Sequence, residues 1–65
     1  MEKIEINPKI MHGKPVIKGT RVPVDVILGS LIGGMKYEEI EEEYGVKRED
    51  IIVAIEYANK DQFKQ

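Results

Sequence analysis

Apolar positions along the chain change period several times, and each change marks an element. Lys3-Ile4-Glu5-Ile6 alternates polar and apolar and stops at Asn7-Pro8, which predicts a strand followed by a turn. Lys9 to Met11 continues extended and leads into Gly13–Arg21, where Pro15-Val16-Ile17 and Thr20-Arg21-Val22 either form a small hairpin or flank a turn. Pro23 suits the first turn of a helix, where no N–H is needed. Val24, Ile27, Leu28, Leu31 and Ile32 then recur at i, i+3, i+4, i+7 and i+8, one apolar stripe that Gly33-Gly34 ends. A second helix, Tyr37 to Tyr44, turns Tyr37, Ile40 and Tyr44 inward and Glu38, Glu39, Glu41, Glu42 and Glu43 outward. Gly45 stops it, with Val46 packing back. A third helix runs from about Arg48 to Asn59, with Glu49 and Asp50 in its first turn, where exposed N–H groups favour carboxylates. Its core stripe is Ile51, Ala54, Ile55 and Ala58.

These elements predict a mainly α fold: a three-helix, homeodomain-like helix-turn-helix bundle preceded by a short N-terminal β element. The last two helices, joined through Gly45-Val46-Lys47, supply the helix-turn-helix. A chain of 65 residues is one domain, with a β/loop segment over 1–23 and a three-helix unit over 24–60. Its core is near the lower limit for independent stability, which favours association into a homodimer.

The third helix is apolar almost all the way round. Val53 and Tyr57 lie roughly opposite the core stripe, and Ile52 lies between. Isolated surface apolar residues need no explanation. Three on successive turns make Ile52, Val53 and Tyr57 interface candidates.

Charge divides the chain. Residues 1–24 carry Lys3, Lys9, Lys14, Lys18 and Arg21 against Glu2 and Glu5, whereas residues 25–65 have ten carboxylates and five cations. A basic front and an acidic back suit a polyanion at one end and a basic partner at the other, or simply solvate a small surface. The third helix offers duplex DNA little besides Lys47 and Arg48, and the glutamates before it repel phosphate. Lys14, Lys18 and Arg21 complete the phosphate-contact candidates. Weak, salt-dependent duplex binding is the expectation.

Catalysis finds no support. Without cysteine there are no thiolate or cysteine–metal sites, and Ser30 has no base placed beside it by sequence, His12 being the sole histidine. His12 is expected as a loop residue near Met11. The glutamate pairs 38/42 and 39/43 lack the further ligands that a metal site needs. Lys14, Lys18 and Gly19 do not fall in P-loop register, and Pro15 has no N–H for a phosphate. No enzyme activity, cofactor, metal or small-molecule substrate is expected. The absence of a long apolar run and of a signal-peptide pattern predicts a cytoplasmic protein with no membrane partner.

The densest motif is Gly13-Lys14-Pro15-Val16-Ile17-Lys18-Gly19-Thr20-Arg21-Val22-Pro23-Val24. Its glycines and prolines predict a shaped loop, with Gly13, Pro15, Gly19, Thr20 and Arg21 as its structural residues and Gly19 at positive φ. Thr20 is expected to cap backbone N–H groups, and Arg21 to clamp an acidic group of the second helix, a dimer mate or a ligand. In register, Gly13, Pro15, Ile17, Gly19, Thr20, Arg21, Val22 and Val24 resemble the signature of the domain-of-unknown-function-433 family. The resemblance covers Ile4 to about Ala58. It implies an antitoxin-like protein that binds a small ribonuclease toxin and contributes, as a dimer, to binding its operon DNA. The acidic second helix suits such a partner, with Glu38 and Glu42 as toxin-contact candidates. The alternative is an interaction or dimerisation module with a degenerate helix-turn-helix and no DNA role. Asp61 to Gln65 is short for a toxin-wrapping tail, so neutralisation by wrapping is not expected.

Overall fold

The computed structural model describes residues 3–62; Met1, Glu2 and residues 63–65 of the tail lie outside them. Strand β1 (Ile4–Glu5) pairs antiparallel with β2 (Val16–Ile17), Ile4 opposite Ile17 and Glu5 opposite Val16. Three helices follow: α1 (Val24–Ile32), α2 (Tyr37–Tyr44) and α3 (Arg48–Gln62). They pack pairwise into a three-helix bundle with the ladder at its start. The fold is the one the periodicity predicts.

The ladder differs in detail. β2 is bonded on both sides, to β1 and to the chain entering α1. The Ile17 N–H donates to the Val22 carbonyl at 3.0 Å, and the Val24 N–H donates to the Pro15 carbonyl at 2.9 Å. The expected hairpin between 15–17 and 20–22 is thus half of a larger arrangement, closed by a turn in which the Thr20 N–H donates to the Ile17 carbonyl at 3.0 Å. This double pairing buries Val16 and Ile17. The expected strand Lys3–Ile6 shortens to two residues, and Ile6 is exposed before the Asn7-Pro8 turn.

The core joins Ile17, Val24, Ile27, Ile40, Val46, Ile51 and Ala54, drawn from β2, the three helices and the turn before α3. Burying each of the isoleucines contributes about 1.5–3 kcal/mol. Val46 packs inward next to Gly45, which sits at φ 69° and donates its N–H to the Glu41 carbonyl at 2.9 Å. A side chain at Gly45 would meet the strain of the left-handed region, so glycine allows α2 to stop here.

Three expectations at helix positions need correction. Ile32 is 87% exposed. It lies at the edge of the α1 stripe, about 80° round from Val24, and the chain leaves at Gly33 before anything covers it. Pro23 stands one residue earlier than expected, as the extended N-cap of α1. Tyr37 faces outward at the first residue of α2, where its ring meets Arg48 instead of the core. α3 also runs three residues past Asn59.

Candidate interaction surfaces

The Gly13–Val24 loop is built by its own backbone. Met11, His12 and Gly13 take successive positive φ values of 49°, 57° and 84°, a left-handed turn in which the Lys14 N–H donates to the Met11 carbonyl at 3.1 Å. His12 is exposed there. Pro15 lends its carbonyl to Val24, and Gly19 has φ 83° with open space where a Cβ would stand. The Thr20 hydroxyl donates to the Ile17 carbonyl at 2.7 Å and accepts from the Val22 N–H at 3.0 Å. Thr20 therefore caps a backbone N–H within the loop, ahead of the helix that it leads into.

Arg21 is exposed and makes no ion pair among the described residues, so it clamps no carboxylate of α2. It borders a shallow recess of about 250 Å³ with Glu5, Ile10, Gly19 and Thr20. Lys18, on the same turn, also has no ion-pair partner among the described residues. Lys14 Nζ lies 3.3 Å from Asp25 Oδ2. Of the front candidates, Lys18 and Arg21 remain available to an anion, and Lys14 is partly neutralised.

The helix-turn-helix is organised by two short reaches and one clasp. At the start of α2 the Lys36 N–H donates to Glu39 Oε1 at 2.8 Å, and at the start of α3 the Lys47 N–H donates to Asp50 Oδ2 at 3.0 Å. Lysine has no acceptor to return the bond, so each is half a capping box. Asp50 also faces Lys3 Nζ at 3.8 Å, and Glu49 accepts from Lys3 at 3.1 Å. The bond to Glu49 pushes the Lys3 ammonium up from its ordinary value.

The clasp centres on Arg48. Its Nε donates to Glu41 Oε2 at 2.9 Å, its Nη2 lies 3.5 Å from Glu38 Oε2, and its guanidinium carbon is 4.8 Å from the Tyr37 ring centre. A cation at that distance gains from the ring quadrupole. Arg48 and Glu38, expected to face DNA and a toxin, face each other. Lys47 is exposed without an ion pair among the described residues, as are Glu42 and Glu43.

The interface candidates on α3 separate. Ile52 is 43% exposed, and Val53 is half-buried. Tyr57 packs against the core rather than pointing away from it. The reason is tertiary: Pro15 and the start of α1 approach that side of α3, and Pro15, Val24, Leu28, Tyr57 and Ala58 line a groove of about 280 Å³. Sequence reasoning also missed the hydroxyl pair joining α1 to α2. Ser30 Oγ donates to the Val26 carbonyl at 2.9 Å, so the Tyr44 hydroxyl, 3.1 Å away, donates to Ser30. Spacing of 14 residues between different helices leaves no periodic signal for it.

Comparison with known proteins places this arrangement. The profile of the family described as "Protein of unknown function (DUF433)" matches residues 4–58, most of the chain. The chain belongs to the DUF433 family. An uncharacterised protein of Archaeoglobus fulgidus is 64% identical to this DUF433 chain over 25 residues, 38% of this chain and 69% of that protein. The crystal structure of Rv2018 from Mycobacterium tuberculosis superposes with a TM-score of 0.73 at 29% identity, covering 80% of this chain. The match takes in only 24% of the Rv2018 chain, so the shared fold is about a quarter of that protein. Among the described residues no helix is long and apolar enough to cross a membrane.

Proposed function

We propose that this DUF433 chain is a non-enzymatic, antitoxin-like protein of the cytoplasm that binds a small ribonuclease through the acidic face of α2 and, as a homodimer, adds weak contacts to operon DNA. The observation that carries the reading is the division of charge on α2. Glu38 and Glu41 are turned onto Arg48, while Glu42 and Glu43 stand exposed without an ion pair among the described residues. A nuclease presents cations to its polyanionic substrate, and exposed carboxylates on a rigid helix are their complement. The toxin-facing pair is accordingly Glu42 and Glu43, with Glu38 occupied. On the DNA side, Lys18, Arg21 and Lys47 are the cations this reading assigns to phosphate.

Calorimetric titration against the ribonuclease encoded beside this gene tests the proposal. Charge reversal by Glu42→Lys with Glu43→Lys is expected to weaken binding by roughly tenfold or more, mostly through a slower on-rate at low salt. It should also release the RNA cleavage that the unaltered protein inhibits. Equal affinity and inhibition for both proteins would overturn the assignment. The engaged Arg48 favours one second reading, a protein-interaction module with no DNA role. Duplex binding that is absent both alone and with the nuclease would select it.

A further inference from the structure

We propose that Glu38 and Glu41 act as a built-in phosphate mimic, holding Arg48 away from polyanions so that the helix-turn-helix is self-masked. The inference rests on the DNA half of the functional reading and adds a regulatory contact to it. Arg48 is the first residue of α3, the end from which helix-turn-helix proteins offer side chains to the groove and the backbone. Two carboxylates one turn apart on α2 engage that guanidinium, at 2.9 and 3.5 Å, and the Tyr37 ring lies beside it at 4.8 Å. Carboxylate and phosphate oxygens present negative charge to the same planar donors, so they compete for one position.

The clasp is suited to opening at its outer side. Arg48 and Glu38 are exposed, so that half of the contact is weak and screened by salt, while Glu41, at 2.9 Å and only 28% exposed, holds the inner half. A phosphate, or a basic partner that draws the α2 carboxylates to itself, displaces the contact without unfolding either helix. A basic partner docked on Glu42 and Glu43 whose cations also reach Glu38 or Glu41 would then unmask Arg48, coupling partner binding to DNA affinity through one side chain.

The test uses the full chain, a short mixed-sequence duplex as probe and two charge-matched variants. Glu38→Gln with Glu41→Gln opens the clasp; Glu42→Gln with Glu43→Gln removes the same charge from the same helix without touching Arg48. Equal thermal melting confirms that both are folded. The clasp variant is expected to bind the duplex roughly fivefold more tightly than its control, the equivalent of about 1 kcal/mol. Its log–log salt slope should be steeper by about 0.9, one additional phosphate neutralised. Adding Arg48→Ala to the clasp variant should remove that advantage. Equal affinities for the two double variants, or a gain that survives Arg48→Ala, would overturn the clasp while leaving DNA binding itself in place. Absence of duplex binding by every variant would overturn both the clasp and the DNA reading. Lys18→Gln with Arg21→Gln in the unaltered background separates these cases, since it lowers affinity wherever the front segment contacts phosphate.

Discussion

At the residue scale, backbone conformation rather than contact decides the most consequential positions. Gly19 occupies φ 83°, and no atom outside Lys18, Gly19 and Thr20 lies within 4 Å of the point where a Cβ would stand, so the Cβ itself meets open space. The cost of Gly19→Val is dominated by backbone strain, since the position where its Cβ stands is open. We expect a loss of about 1–3 kcal/mol, read as a lower urea midpoint with an unchanged slope. An unchanged midpoint would show that the turn relaxes freely. The sequence motif made Gly19 readable, because a glycine between Lys18 and Thr20 in a tight turn favours φ above zero. The same logic failed for Met11 and His12, which share that region without being glycine. Both lie in the connection between β1 and β2.

At the scale of the element, the two helices of the turn are started by carboxylates that reach back to lysine N–H groups. Glu39 and Asp50 stand three residues after Lys36 and Lys47, a spacing visible in the chain, and each satisfies one donor at a helix start. Glu39→Ala is expected to cost about 1 kcal/mol in a denaturation experiment, and Glu43→Ala, at the exposed end of the same helix, close to nothing. Equal losses would mean that the reach contributes no stability. α2 has only eight residues and would not persist alone, so such a cap weighs more than it would in a long helix. The Lys3 pair ties β1 to α3 in a similar manner. Because its ammonium is raised, that contribution is complete below the unfolded-state pKa of lysine and fades as pH climbs through the raised value.

For the whole molecule, the structure changes which variant tests self-association. Tyr57 is half-buried and packs against the core, so a charged residue there would perturb the core as well as any interface and could not separate the two. Ile52 is the exposed apolar residue of the proposed α3 face. Sedimentation at micromolar concentration is expected to give twice the chain mass, and Ile52→Lys to give a folded monomer that melts lower than the dimer, since it loses the stabilisation that association supplies. A monomer in both cases would remove the dimer from the functional reading. The polarity of the molecule also survives folding in altered form. Lys3 and Lys14 are drawn to carboxylates of the helical unit, leaving Lys9, Lys18 and Arg21 of the front segment without an ion pair among the described residues.

The sequence by itself determined the three helices, their order, the stop at Gly45, the three-helix architecture and the family signature over Gly13–Val24. Those features are local: apolar period, a turn glycine and capping residues act within a few positions of one another. Only the tertiary structure decided that β2 is bonded on both sides, that Tyr57 faces the core and that Ile32 faces water. It also decided that Arg48, read as a DNA contact, lies against Glu41 at 2.9 Å and Glu38 at 3.5 Å, the latter read as a toxin contact. Charge counted along a chain cannot tell a free cation from a paired one. That distinction depends on which helix lies within about 4 Å, and packing of the apolar faces sets it.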